Sequence, residues 1–469
     1  MSSATPSLRG AWSATAGLRS DRVAFRRSLA LMLMTLLLPG SAQLVAGHKR
    51  VGRIAVRVSL SLLALLLTVV LLAFVHRTWL LALLTSPRLL LGERVLLILL
   101  ALAWIGLFTD AWRLGNPMRL RRPYRLAMLG VNGTLCLVTG GALLFSAHLV
   151  AVQRDFILTV FGSSTVTAPH DGRYNVLLLG GDSGQQRWGL RPDSINLASI
   201  DESTGRTVLF SIPRNLENVP FPQGSVMAQQ FPHGFNCSGC YINGVYTWAR
   251  DHPDLFPGVQ DPGIVATEQA VEGVTGLQVN YYALVNLAGF TDLVDAVGGV
   301  TIDVPKSIPI GGIGGAITGH IPPGVQKLDG YQALWFARSR VADDDYSRMA
   351  RQKCVMNAML QQLSPQTVVL KVQAIADASK RLLRTDIPAS DLDTFIELAL
   401  KARSQPVSTV SFVPPTITTY APDFAKIRSM VTDAIARSQG GAGTTSGHGH
   451  AKPKGAKAAN QTNNLAATC

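Results

Sequence analysis

The sequence predicts a membrane-anchored α/β protein: an N-terminal helical transmembrane region, then an extracytoplasmic mixed-sheet α/β/α domain. Three observations predict it. Hydrophobic residues make up 47% of the 469-residue chain and charged residues only 15%, a balance too apolar for an ordinary soluble protein. The formal charge of +14 sits at one end: residues 1–125 hold 17 of the 43 Lys/Arg and 3 of the 29 Asp/Glu, leaving 26 of each for residues 126–469. Beyond residue 172, short apolar runs alternate with amphipathic stretches, the pattern of a mixed α/β domain. Basic residues between apolar segments orient membrane spans. The neutral remainder has no electrostatic footprint for nucleic acid, so no nucleic-acid partner is expected.

Four apolar stretches precede residue 154. Residues 28–47 are cut by Pro39-Gly40 and have basic flanks on both sides, which predicts a re-entrant or interfacial segment. VSLSLLALLLTVVLLAFV (58–75), VLLILLALAWIGLFTDAW (95–112) and residues 126–153 suit the ~20 residues of a spanning helix. The loops 48–57 (Lys49, Arg50, Arg53, Arg57) and 113–125 (Arg113, Arg119, Arg121, Arg122, Arg125) are densely basic and predicted cytoplasmic. Span 126–153 then leads outward. The chain from about residue 155 is predicted to lie outside the cytoplasm of a multi-pass protein of the cell membrane.

Residues 154–172 read as a polar linker, with Gly162, Ser163, Ser164 and Pro169. A mixed α/β domain is predicted over 173–437. YNVLLLGG (174–181), SINLASI (194–200), TVLFSI (207–212), YYALVNL (281–287), VTIDV (300–304), LWFARSR (334–340) and VSTVSFV (407–413) read as strands. Helices are predicted over 264–275, 287–299, 346–363, 390–403 and 422–437. Residues 438–469 lack an apolar period and read as a disordered tail, whose His448 and His450 are not expected to bind metal.

Two clusters of charge bear on chemistry. Arg191 and Asp193 are two apart in an extended chain and point to one side. Arg214 follows the next predicted strand, so a hairpin brings Asp193 and Arg214 to one end of the sheet. The second cluster is FARSRVADDDYSRMARQKC (336–354). There Arg338 and Arg340 are expected on one face of a strand, and Arg348 and Gln352 on one face of the following helix. Arginine forks match phosphate oxygens, and such arginines repel one another without an anion between them. Asp343, Asp344 and Asp345 lie between. Carboxylates beside a diphosphate suggest Mg²⁺, which takes one or two protein carboxylates plus phosphate oxygens.

With these residues in view, the sequence resembles the LytR-CpsA-Psr family of envelope phosphotransferases. The matching elements are NVLLLGGD (175–182), RPDSI through SIPR (191–214), YINGVY (241–246), GFTDLVDAVGGVTIDV (289–304) and LDGYQALWFARSR with DYSRMARQ (328–352). The resemblance implies transfer of a glycopolymer from a polyprenyl-pyrophosphate lipid donor onto a peptidoglycan acceptor. It further implies that Arg191, Arg214, Arg338, Arg340, Arg348 and Gln352 hold the pyrophosphate, and that Asp182 and Asp193 hold Mg²⁺. Asp193, Arg214, Arg338 and Arg340 are the expected catalytic set, with Asp193 as proton acceptor. The alternatives are a regulatory module that binds the lipid pyrophosphate without turnover, and a polyprenyl-pyrophosphate hydrolase. Asn215 stands where the family usually has Asp, and Pro192 and Asn196 replace its commoner residues. Outside the cytoplasm, Cys237 is expected in a disulfide with Cys240 or with Cys354, rather than in a zinc half-site.

Overall fold

Pro39 cannot continue a helical hydrogen-bond ladder, and helix α1 (Arg9–Leu37) ends ahead of it in the computed structural model. The structure describes residues 9–75, 84–116, 118, 120–161, 166–182, 191–312, 315–341, 343–362, 371–380, 383–440, 459–466 and 469. Gly40, at φ 95°, opens the short helix α2 (Ser41–Ala46). The next three helices are α3 (Lys49–Val75), α4 (Pro87–Leu114) and α5 (Arg122–Val160). Among the described residues these are the three helices long and apolar enough to cross a membrane. Leu65, Leu66 and Leu67 of α3 are all more than half exposed, a contiguous apolar surface that water does not tolerate cheaply. Residues 154–160, read as the start of a linker, instead continue α5. The chain divides into two units, 1–154 and 155–469.

The second unit is built on β1 (Arg173–Asp182), β2 (Arg191–Asp201) and β3 (Thr207–Ile212), followed by α6 (Val226–Gln230), α7 (Ile242–Asp251) and α8 (Pro262–Thr275). Next come β4 (Tyr281–Asn286), α9 (Leu287–Val297), β5 (Val300–Val304), β6 (Ile308–Gly311), β7 (Ile317–Ile321), β8 (Gly324–Leu328), α10 (Gly330–Arg338) and α11 (Asp345–Gln362). The rest is α12 (Val372–Lys380), β9 (Leu383–Thr385), α13 (Leu392–Arg403), β10 (Ser408–Ser411), α14 (Phe424–Ser438) and β11 (Gln461–Thr462).

The main sheet runs β11-β10-β3-β2-β1-β4-β9 and is mixed. β1 is antiparallel to β2 and parallel to β4, and β10 is parallel to β3. Strand alternation sends side chains to two cores. Leu177, Leu179, Val208, Phe210 and Ile212 pack with α7, α8 and α14 residues such as Val245, Val271 and Val431. Leu178 and Leu209 face the other way, toward Val294 of α9, Phe336 of α10 and Val355 of α11. Both faces of the sheet are thus covered, as the fold class predicts.

Two expectations are corrected. Residues 334–338 of LWFARSR are helical, with Ser339 as the cap and Arg340 beyond it. Asp329 accepts a hydrogen bond from Gln332 N–H (2.7 Å) while Gln332 Oε1 accepts one from Asp329 N–H (3.3 Å), a capping box that outweighs the strand-like composition. Gly330 at its start abuts α9, where a Cβ would lie 2.1 Å from the Thr291 carbonyl oxygen. VTIDV is a strand, as expected, and it pairs with β8 in a separate two-stranded sheet. The second correction is at the C-terminus. Residues 459–466 do not form a disordered tail: β11 pairs with β10, and Ala459 and Leu465 are buried. Residues 441–458, with His448 and His450, lie outside the described residues. Cys237 pairs with Cys240, whereas Cys354 pairs with Cys469 and not with Cys237.

Candidate active site

β1 and β2 slip register between Gly180 and Gly181: Gly180 opposes Ser194, and Gly181 opposes Pro192. Asp193 is the extra residue of this bulge, a device that re-aims one side chain at the end of a ladder. The β2–β3 hairpin pairs Ile195 with Ile212, so Arg214 lies two residues beyond on the same end. Arg214 Nη1 donates to Asp193 Oδ1 at 2.6 Å. Burial alone would lower the Arg214 pKa, but the Asp193 and Asp345 carboxylates outweigh it and raise it.

Asp345, the first residue of α11, gathers three arginines. Its oxygens lie 3.0 Å from Arg348 Nη2, 3.6 Å from Arg214 Nε and 3.7 Å from Arg340 Nη1. Arg348 is buried, 3% exposed, and burial lowers its pKa despite Asp345. Its Nε and Asp345 Oδ1 are buried with no hydrogen-bond partner among the described residues. Buried polar atoms of this kind are normally satisfied, and a guanidinium edge calls for an anionic acceptor.

Behind this cluster lies a cavity of about 440 Å³. Its lining divides along α11 into a polar and an apolar part: Arg348 and Gln352, then Val355, Met356 and Met359, at spacings that keep them on one helical face. Leu178, Phe290 and Leu334 line the apolar part, and Asp193, Asn196 and Arg338 the polar part. Asn196 is fixed by donating to Ser194 Oγ (3.0 Å) and accepting from Ser211 Oγ (2.6 Å). The arrangement suits a long apolar chain with a polyanionic head.

The structure brings Asp193, Arg214, Arg338, Arg340, Arg348 and Gln352 into one region, but not in the manner expected. Arg338 and Arg340 do not share a strand face. Arg338 ends α10 with its guanidinium 5.1 Å from the Trp335 ring centre, and Arg340 lies beyond the helix, exposed, against Asp345. Arg191 is exposed at the head of β2 and does not line the cavity. Asp182 ends β1 opposite Arg191; its side chain lies outside the described residues. Of the acidic run, Asp343 pairs with Arg351 at 2.7 Å and with Lys306, a structural use away from the cavity. Sequence reasoning missed the gathering role of Asp345 and the apolar lining. The stripe Arg348, Gln352, Val355, Met356 and Met359 was the available signal for the lining.

Among the described residues no group of three or more His, Cys, Asp or Glu side chains gathers. Asp193 nevertheless presents a hard oxygen donor on the cavity wall. Mg²⁺ takes one or two protein carboxylates when phosphate oxygens complete its shell, and among the described lining residues Asp193, its Oδ1 held by Arg214, is the one carboxylate that could serve.

A family model described as the LytR_cpsA_psr family matches residues 149–429. The chain is 30% identical to the polyisoprenyl-teichoic acid–peptidoglycan teichoic acid transferase TagU of Oceanobacillus iheyensis over 233 residues, 49% of this chain and 64% of that one. It is 30% identical to the cell wall biosynthesis protein LcpA of Corynebacterium glutamicum over 244 residues, 46% of this chain and 45% of that one. The matched stretches thus span less than two thirds of these relatives. A crystal structure of TagV from B. subtilis aligns with 58% of this chain and 99% of that one, at 22% identity and a TM-score of 0.42.

Proposed function

The chain belongs to the LytR-CpsA-Psr family, and from that premise we propose that it is a phosphotransferase. It moves a glycopolymer from a polyprenyl-pyrophosphate carrier onto a peptidoglycan hydroxyl. The observation that carries the reading is the α11 stripe, in which buried Arg348 and half-buried Gln352 pass directly into Val355, Met356 and Met359. Its sequence of charge and grease matches a pyrophosphate joined to a prenyl chain.

In the reaction the acceptor oxygen attacks the phosphorus that bears the glycan. A new P–O bond forms as the bond to the bridging oxygen breaks, and polyprenyl phosphate leaves. Arg214, Arg338, Arg340 and Arg348 neutralise charge on the non-bridging oxygens, and Gln352 orients them; positioning and charge compensation dominate such transfers. Arg191 reaches the donor from the exposed head of β2. Asp193, aimed by its bulge and held by Arg214, accepts the hydroxyl proton. Asp193 and Asp182 would hold Mg²⁺, which supplies further neutralisation of the pyrophosphate when bound.

Three spans (58–75, 95–112 and 126–153) anchor the protein in the cell membrane, with the basic loops 48–57 and 113–125 cytoplasmic and residues 155–469 outside. The charge placement and the three apolar helices support this topology. Reporter fusions at residues 50, 85, 118 and 165 should read in, out, in and out.

The transfer itself is tested by incubating the purified full-length protein with a lipid-pyrophosphate oligosaccharide, Mg²⁺ and peptidoglycan fragments, and weighing the products. A phosphodiester-linked glycan–peptidoglycan adduct with free polyprenyl phosphate is expected. Glycan phosphate with no adduct would replace transfer by hydrolysis, and unchanged donor would leave a binding module.

A further inference from the structure

Residues 459–466 and Cys469 grip the helix that carries Arg348 and Gln352 at two heights. At the first turn of α11, Asn460 Nδ2 donates to the Tyr346 carbonyl oxygen (2.9 Å). Two turns on, Cys354 is joined to Cys469. Between these, Lys353 is fully buried and donates to Asn460 Oδ1 and Ser411 Oγ. Burial lowers the Lys353 pKa well below that of an ordinary lysine, and both acceptors are neutral. The segment is seated as core: Ala459 and Leu465 pack with Val355 and Ala358, Leu465 N–H donates to the Val407 carbonyl (2.9 Å), and β11 extends the main sheet beside β10.

We propose that this C-terminal strap is a positioning element for α11, and that the Cys354–Cys469 bond sets how tightly the arginine cluster holds a pyrophosphate. The inference rests on the pyrophosphate reading above and deepens it. Arg348 and Gln352 lie between the Tyr346 and Cys354 attachments, so their register toward the cavity depends on both. With the bond closed, the strap cannot diffuse away and Asn460 remains on Lys353. Cleavage by a dithiol reductant transfers two electrons and two protons: the S–S bond becomes two thiols and the reductant becomes a cyclic disulfide. Strap undocking then opens the edge of β10 and leaves the Lys353 amine without its Asn460 partner. Arg348 and Gln352 touch the ligand; Lys353, Asn460 and Cys469 act through α11.

The test uses the full-length protein with two readouts, hydrogen exchange of residues 345–362 and affinity for geranylgeranyl pyrophosphate. Cys469→Ser should raise exchange in 345–362 while leaving α8 protected, admit an amine-acylating reagent to Lys353, and weaken affinity by about tenfold, within the usual range of coupling between sites. A Cys237→Ser/Cys240→Ser variant should change neither readout. Asn460→Ala keeps both disulfides and should reproduce a smaller rise in exchange, so the test survives a misfolded Cys469→Ser. Unchanged exchange at α11 in both strap variants, or raised exchange with wild-type affinity, would overturn the proposal. If the wild type itself fails to bind the prenyl pyrophosphate, the pyrophosphate reading and this coupling fall together. If the wild type binds and only the strap variants behave as wild type, the coupling alone falls.

Discussion

Arg214 and Asp193 meet at 2.6 Å across a hairpin, 21 residues apart in sequence. The pair is partly exposed, and as a surface ion pair it would contribute only ~0–1 kcal/mol. In the mechanism proposed above, its place at a bulge, beside a cavity and next to the Asp345 hub, lets Arg214 aim Asp193 as the proton acceptor. Asp193→Asn keeps the shape and removes the charge. Transfer should fall about 10²–10⁴-fold, the span typical of losing a general base, with thermal stability little changed. Wild-type turnover in the folded variant would remove Asp193 from the chemistry.

Asp345 holds three guanidinium groups that otherwise repel one another. Asp345→Asn should destabilise the ligand-free protein by about 1–3 kcal/mol, the penalty for leaving buried charge uncompensated. A bound pyrophosphate replaces the lost counter-charge. Thermal shift on adding geranylgeranyl pyrophosphate should therefore be larger in the variant than in the wild type; an equal or smaller shift would argue that Asp345 is a bystander.

The apolar half of the cavity is separable from the polar half. Met359→Asp places a charge where the prenyl chain would run, and each prenyl CH₂ kept from burial forfeits about 0.8 kcal/mol. Affinity for geranylgeranyl pyrophosphate should drop more than about tenfold, while inorganic pyrophosphate binds as before. Calorimetry with both ligands decides, and parallel losses would show that the two halves are not distinct.

Glu268 of α8 has its pKa raised to about 8, by burial first and then by Asp386 and Glu272. The native carboxyl stays protonated while the unfolded one ionises near the usual value of about 4.3. Stability is therefore lost as pH climbs from about 4 toward 8, where the native group ionises too. Glu268→Gln should match the wild type at pH 4 and exceed it by about 1–3 kcal/mol at pH 8. Melting curves at the two pH values test the sign; a variant less stable at pH 8 would contradict it.

Much of the domain was legible because its strands are buried on two faces and read as short apolar runs, as β1 and β3 do. The hairpin geometry behind Asp193–Arg214 followed from two strands and one turn. The α10 helix was misread because Leu334, Trp335 and Phe336 look strand-like, although Asp329 and Gln332 spelled a capping box just upstream. That error moved Arg338 and Arg340 onto a strand face they do not share. The strap was illegible for a different reason. Its docking depends on Cys354 and Cys469, separated by 115 residues, and on a lysine whose partners are neutral; neither leaves a periodic trace in residues 438–469. The Asp345 hub was hidden because Asp343, Asp344 and Asp345 look alike in sequence, and only the start of α11 tells which one meets Arg214, Arg340 and Arg348.

The central claim is that the prenyl chain lies along the apolar lining with its pyrophosphate at the arginines. A geranylgeranyl pyrophosphate analogue carrying a photoreactive group at the far end of the chain, cross-linked to the full-length protein and mapped by peptide mass spectrometry, tests it most directly. Adducts on Met356, Met359 or Phe290, competed away by unlabelled geranylgeranyl pyrophosphate and lost in Arg348→Ala, are the predicted result. Competable adducts confined to the helices of residues 9–160, with none on the cavity lining, would contradict it.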